Sequence, residues 1–401
     1  MRMTLSGIKV IEVSNWIAAP SCGMLLAEFG ADVVRVEPID GGPVRGLLQT
    51  GFISLTDFNW LWELLNRSKR GIAVDLNQEQ GQDIIHGLVA QADIFLTNMR
   101  PGIAIRARLD YEKLSQLNSR LIYACTTGYG PRGPGVDWPS FDEIAFWARS
   151  GIMSTLGAPD ESLVPLRGAM GDFTASTSLL SGIALALYQR ERTGAGQRVD
   201  VSLLGNGCYV AGIDLQAALS TGRENPRVSR KTAGNPLYNF YQCQDGKWVQ
   251  LVMFQSDRYW AGLCRALGRA DLEQHPRVDS HQKRTKNNEE LITILGEAIA
   301  AKTRDEWAPL FNKNNLVWGP VQTMTEVIQD PCVLSNNYIV EYEHPAQGKI
   351  RGLGSPVQLG NSPAKTPSAA PEHSQHTEEV LLELGYNWDD IGRLKDKGVI
   401  P

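Results

Sequence analysis

Along the first 130 residues, apolar runs of strand type alternate with segments of helical period, and this alternation restricts the fold more than any other feature of the chain. IKVIEVS (8–14) reads as a strand, APSCGMLLAEFG (19–30) as a helix and ADVVRVE (31–37) as a strand. A strand IAVDL (72–76), a helix EQGQDIIHGLVAQA (79–92) and a strand DIFLTNM (93–99) follow, and YEKLSQLNSR (111–120) with LIYACTTGYG (121–130) repeats the step. This rhythm is that of a parallel sheet covered by helices on both faces. Open sheets of this kind bind ligands beyond the carboxyl ends of their strands, so the loops after Glu37, Asn98 and Thr127 are the expected binding edge.

The character changes after residue 196. GQRVDVSLLGNGCYVAGIDLQAALSTG, with the polar RENPRVSRKTAGNP behind it, predicts a long connecting helix and linker over 200–232. LYNFYQCQDGKWVQLVMF places a QDG turn between two aromatic and β-branched runs, a hairpin signal. With the helical stretches after it, 233–325 is expected to be a smaller α+β domain. A Pro/Ser/Gly-rich linker over 326–372 and a C-terminal segment 373–401 returning to the large domain, 1–199, complete the expected organisation. A chain of 401 residues is long enough for two domains.

A net charge of −5 argues against a nucleic-acid surface, so any anion site must be local. The six cysteines show no C-x-x-C pair and no zinc spacing, and read as reduced, mostly buried thiols with no metal site. The N-terminus lacks a signal-peptide core and no run approaches ~18 uninterrupted apolar residues, so a cytoplasmic protein without a membrane partner is expected.

Familiar catalytic signatures are missing. No G-x-G-x-x-G follows the first strand, GYGPRGPG (128–135) fits neither that fingerprint nor a Walker loop, and there is no H-E-x-x-H or G-x-S-x-G. What remains is a set of loop residues near strand ends: Lys69 and Arg70 in NRSKRG, Asn98 and Arg100 in TNMRPG, then Arg106 and Arg108. Each alone reads as a solvated surface charge; together they could cradle a diphosphate. Asp172, in RGAMGDFTAS ahead of a long apolar run, reads locally as a helix N-cap.

Seven segments in order change the reading of that aspartate. LSGIKVIEVSNWIAAPSCGMLLAEFGADVVRVEP, NRSKRGIAVDL, TNMRPG, TTGYGPRGP, RGAMGDFTAS, RTGAGQRVDVSLL and WGPVQTMTEVIQDP are similar, in order and spacing, to class III CoA-transferases. That superfamily includes formyl-CoA and carnitine CoA-transferases and α-methylacyl-CoA racemases. The resemblance implies an α/β fold, with a Rossmann-like large domain and a small domain inserted through linkers, in a homodimer whose chains interlock like rings. It implies acyl-CoA and a carboxylic acid acceptor as substrates, with no tightly bound cofactor. Asp172 falls on the family's nucleophile, which forms an acyl anhydride and then an aspartyl-CoA thioester.

By the same resemblance, Asn15, Trp16, Lys69, Arg70, Asn98, Met99 and Arg106 are expected to hold CoA, and Ile17, Phe141, Asp142, Gly171 and Tyr238 to form the substrate pocket. The racemase branch resembles GHDINY where this chain has SFDEIAF, which puts Phe141 in place of a proton-carrying histidine. Ile17 replaces the glutamine of formyl-CoA transferases, and LVMFQSDRYW lacks their glycine run. A transferase for a bulky acyl group is therefore expected, aromatic candidates for its pocket being Trp16, Phe141, Phe146, Trp147 and Tyr238. A racemase-like isomerase using Asp172 and Asp142, and a CoA-binding protein without turnover, are the alternatives.

Overall fold

The computed structural model describes residues 3–48, 50, 57–164 and 166–401. The chain divides into two compact units, one of Met1–Ser154, Pro165–Arg223 and Asn337–Pro401, the other of Thr155–Val164 and Glu224–Asn336.

The first unit is built on six parallel strands: β1 (Lys9–Val13), β2 (Asp32–Glu37), β3 (Arg70–Ala73), β4 (Ile94–Thr97), β5 (Ile122–Thr127) and β6 (Arg198–Ser202). Their order is β3-β2-β1-β4-β5-β6, so the direction of winding reverses between β1 and β4. Alternate residues of each strand feed opposite cores. Ile11, Val34, Phe95 and Tyr123 pack with Ile84 and Ile85 on one face, while Val10, Val33, Ile94 and Ile122 pack with Leu26, Leu179 and Ile183 on the other. Burial on both faces is why these strands read as nearly continuous apolar runs.

Two of the connecting helices start at a side-chain cap. α1 (Ala18–Glu28) follows the β1 loop; α2 (Trp60–Asn66) is capped by Asn59 and α5 (Tyr111–Leu117) by Asp110, each side chain accepting a backbone N–H. Between them lie α3 (Glu79–Ala90) and α4 (Pro101–Arg106), the latter opened by a proline that has no N–H to leave unpaired. A 24-residue helix, Met170–Thr193, packs on α1, β5 and β6.

The stretch 200–232 carries more than a connection. Its first residues finish β6, whose backbone pairs with β5, and two helices, Leu203–Val210 and Gly212–Thr221, follow. Within 326–372 lies an antiparallel hairpin, β10 (Ile339–His344) with β11 (Gly348–Leu353). Val380, Leu381, Ile391 and Leu394 of the last two helices join the first sheet core.

The second unit holds the expected hairpin, β7 (Tyr238–Gln242) with β8 (Trp248–Val252), extended by β9 (Trp318–Val321) into a three-stranded antiparallel sheet. Helices pack on its apolar face around Tyr241, Leu251, Trp260, Leu295, Trp307 and Phe311. All six cysteines are free thiols.

Candidate active site

Three loops at the carboxyl edge of the sheet meet around the point where its winding reverses. The loop after β1 carries Asn15 and Trp16, that after β4 carries Asn98, Met99 and Arg100, and that after β5 carries Gly128, next to Thr127 at the strand's end. Asn98 ties two of them together. Its Oδ1 accepts the Asn15 backbone N–H at 2.9 Å, and its Nδ2 donates to the Asn15 carbonyl at 2.6 Å. Thr97 Oγ1 donates to the Val13 carbonyl at 2.8 Å and accepts the Met99 N–H at 3.1 Å. The next residue after the clamp, Trp16, has φ 61°, a left-handed conformation that costs a bulky residue about 1–3 kcal/mol.

These loops line a cleft of about 330 Å³ that also takes in Ser140, Phe141, Leu203 and Asp172. Asp172 comes from the first turn of the helix Met170–Thr193. It is not the N-cap that the local sequence suggests: Ala169 occupies that position with φ 78°, and no side chain caps this end. Gly171, one residue earlier, is there for space. A methyl group on it would lie 2.2 Å from Asp142 Oδ1 and 2.2 Å from Phe146 Cγ.

Burial, and then the negative charges of Asp142 and Glu143, raise the Asp172 carboxyl to about 7. Asp142 is itself only 2% exposed and accepts the Trp147 indole N–H at 3.0 Å on Oδ2. Burial raises its pKa as well; the Trp147 hydrogen bond pulls the other way, Glu143 adds to the rise, and the backbone amides of Ala169 and Asp172 oppose it. The charge of Asp142 is thus one reason, after burial, that the Asp172 carboxyl keeps its proton to higher pH.

Of the residues expected to hold CoA, Asn15, Trp16, Asn98 and Met99 line this cleft. Lys69 does not. It is buried, pairs with Glu12 at 2.8 Å and donates to the Pro20 carbonyl and Asn66 Oδ1, while Glu12 also binds Arg35. Burial lowers the Lys69 ammonium to about 8 even though Glu12 holds it up. Arg70 opens β3 and pairs with Asp32 at the start of β2 and with Glu379 and Glu383, which places it at the amino edge of the sheet, opposite the binding edge. Its charge already has three carboxylate partners. Arg106 is exposed in the last turn of α4.

The substrate-pocket expectations divide similarly. Phe141 lines the cleft, 52% exposed, with Trp16 edge-on to it at 5.3 Å. Ile17 turns away into a cluster with Val44, Leu61, Trp62 and Leu65, because α1 starts at the next residue. Asp142 lies behind the wall, on the residue after Phe141, and Gly171 is buried under it. Phe146 is core and Trp147 packs beside it. Tyr238 belongs to the second unit, where its ring packs against Phe254 with centroids 4.8 Å apart and planes at 37°. Sequence reasoning passed over Ser140 and Leu203, whereas the loop after Glu37, expected at the binding edge, borders a second crevice of about 490 Å³ at the carboxyl ends of β1, β2 and β3, edged by Ser14, Pro38, Asp40 and Asn77. Asn15 and Met99 border both spaces.

Comparison with known proteins shows the family. The family model described as CoA-transferase family III matches residues 5–377. The chain is 32% identical to the (R)-2-hydroxy-4-methylpentanoate CoA-transferase of Clostridioides difficile, over 99% of this chain and 100% of that protein. It is 34% identical to the cinnamoyl-CoA:phenyllactate CoA-transferase of Clostridium sporogenes, over 98% and 97% of the two chains. Among solved structures, a CAIB/BAIF family protein from Brucella suis superposes with a TM-score of 0.85 at 27% identity, covering 96% of this chain and 100% of that one.

Proposed function

Since the chain belongs to CoA-transferase family III and is an enzyme of that family, we propose that Asp172 is the group through which it moves CoA from a thioester to a free carboxylic acid. The observation that carries the reading is the position of Asp172: a partly buried carboxylate in a cleft whose other described lining residues are neutral apart from Arg100.

The chemistry follows from an ionised carboxylate alone. An Asp172 oxygen attacks the thioester carbonyl carbon, the C–S bond breaks, and CoA leaves as thiolate with Asp172 in a mixed anhydride. The thiolate attacks the Asp172 side of that anhydride, which frees the donor acid and forms an aspartyl-CoA thioester. The acceptor carboxylate attacks this thioester, expelling the thiolate and forming a new anhydride; the thiolate then attacks the acceptor's acyl carbon and restores Asp172. Every step exchanges a carboxylate and a thiolate, so no net proton is moved and no general base is required. Racemisation has less support, since it needs two bases facing the α-carbon and Asp142 is buried behind Phe141 and bonded to Trp147.

CoA would run along the carboxyl edge of the sheet, its nucleotide in the crevice beyond β1–β3 and its thiol end past Asn15 and Met99 toward Asp172. Arg106 is the charged residue from the expected set that is left to meet the phosphates. A bulky acid is the reading supported by the aromatic wall of the cleft and by relatives named for 2-hydroxy-4-methylpentanoate and phenyllactate. The test is covalent trapping. Incubation with an acyl-CoA followed by hydroxylamine should leave a mass change on the peptide containing Asp172, and Asp172→Ala should abolish both label and transfer; transfer that survives in Asp172→Ala sinks the assignment.

A further inference from the structure

Trp16 and Phe141 are large apolar side chains left in contact with solvent, 38% and 52% exposed, on the walls of the cleft that contains Asp172. Their rings meet edge to face, with centroids 5.3 Å apart and planes at 79°. Neither serves the packed core: the core beside them consists of Ala18, Ala145, Phe146, Ala175 and Leu203. Trp16 reaches its place only through a left-handed backbone, φ 61°, set up by the clamp between Asn15 and Asn98. A conformation that disfavours any residue but glycine, kept for a tryptophan whose ring then stays exposed, is the mark of a ring placed for something outside the chain.

We propose that Trp16 and Phe141 form an apolar clamp for the side chain of the transferred acid, and that this clamp makes the enzyme select aryl-substituted or branched aliphatic acids over one- and two-carbon acids. The inference rests on the CoA-transfer reading above and names its substrate class. An acid with no side chain beyond its second carbon leaves both rings in water; a phenyl or isobutyl group displaces that water from both ring faces while its carboxylate stays at Asp172. In a pocket of this kind a single methylene changes kcat/KM by roughly 10- to 200-fold, so a whole phenyl or isobutyl group has ample reach.

The experiment measures kcat/KM for 3-phenylpropanoate, 4-methylpentanoate and acetate as acceptors in the wild-type chain, in Phe141→Ala and in Trp16→Gly. Glycine is chosen at position 16 because it removes the ring and suits the backbone there. We expect the wild type to favour the two larger acids by at least about 10-fold, and each variant to reduce that ratio by about 10-fold or more. A wild type that favours acetate, or variants that leave the ratio unchanged, overturns the clamp. Labelling of wild-type Asp172 by 4-methylpentanoyl-CoA separates the two claims: label present with an unchanged ratio removes the clamp and keeps the transfer reading, whereas no label and no transfer to any of the three acids removes both.

Discussion

The Asn98 side chain holds the Asn15 peptide from both sides, accepting its N–H at 2.9 Å and donating to its carbonyl at 2.6 Å. This pair crosses from β4 to β1 at the point where the sheet reverses direction, and it fixes the residue directly before Trp16. A carboxamide carries its acceptor and its donor on separate atoms, which is what this two-sided grip uses. Asn98→Asp keeps the acceptor and exchanges the donor for a carboxylate oxygen facing the Asn15 carbonyl. We expect kcat/KM to fall by about 10- to 100-fold, in line with the loss of a positioning contact, with a shift in Tm of only a few degrees. Steady-state kinetics with a melting curve checks this; wild-type kinetics in Asn98→Asp would show that the clamp has no bearing on the site.

Lys69 is expected to matter for folding and not for CoA. It shares Glu12 with Arg35 in the interior, and its remaining hydrogen bonds go to Pro20 and Asn66. Lys69→Met takes away one of the two cations on Glu12, which for a buried pair costs about 3–5 kcal/mol. Urea denaturation should show the loss directly. A variant as stable as wild type that binds CoA more weakly would return Lys69 to the phosphate site.

Most of the first unit was legible in the sequence because its strands are buried on both faces and read as short apolar runs set between segments of helical period. β6 was not. Its RVDVS alternates polar and apolar residues at the sheet edge, has only five residues and runs straight into a helix, so it merged with the helical pattern after it. The candidate site divided along a physical line. Asn98 lies just beyond β4, where the sheet rule points, whereas the reading of Asp172 as nucleophile and of Phe141 as a pocket residue rests on the family resemblance, since locally Asp172 reads as a helix cap. Lys69, Arg70 and Ile17 were misplaced because neighbours in sequence at a strand start or helix start can face opposite directions, and only tertiary partners such as Glu12, Asp32 and Trp62 decide which.

Asp172 should give activity and stability opposite pH dependences. Its carboxyl stands at 3.8 in the unfolded chain and about 7 in the folded one. Between those values the folded chain holds a proton that the unfolded chain has released, so its contribution to stability is present below about pH 4 and is lost as pH rises to 7. Transfer, which needs the carboxylate, should rise through about pH 7 in kcat/KM. Asp172→Asn should therefore be inactive and, at pH 8, more stable than wild type by on the order of 2 kcal/mol, with the gain vanishing near pH 4. Chemical denaturation of both proteins at pH 4.5, 6 and 8 reads the difference, and a gain that does not grow with pH contradicts the raised pKa.

Gly171→Ala tests how closely Asp142 and Asp172 are set. The added methyl would overlap both Asp142 Oδ1 and the Phe146 ring, so the first turn of the helix must move or Asp142 must leave Trp147. Overpacking of this sort costs about 1–3 kcal/mol. Turnover should fall at least 10-fold, because a shift near 1 Å at the nucleophile is worth more than that in rate. Unaltered kinetics and an unaltered Tm would mean that the space above Gly171 is not in fact closed.

The last prediction concerns what covers the outer surface of the first unit. Tyr209 and Ile213, on the helices after β6, are 88% and 86% exposed, and Leu219 on the same segment and Leu185 and Tyr188 on the helix Met170–Thr193 are also largely exposed. Five large apolar side chains on adjoining helices exceed what an isolated soluble chain usually shows to water. We propose that a second copy of the chain covers them in a homodimer. Obligate interfaces bury upwards of ~2,000 Å² and link folding to association, so Tm should rise with protein concentration and sedimentation at nanomolar concentration should still show a dimer. Ile213→Asp puts a charge in the middle of this surface and should lower Tm and produce dissociated, partly unfolded chains at concentrations where wild type is dimeric. A folded, fully active wild-type monomer at nanomolar concentration would show that the exposed helices are not an obligate interface, and would leave the cleft around Asp172 as a site complete within one chain.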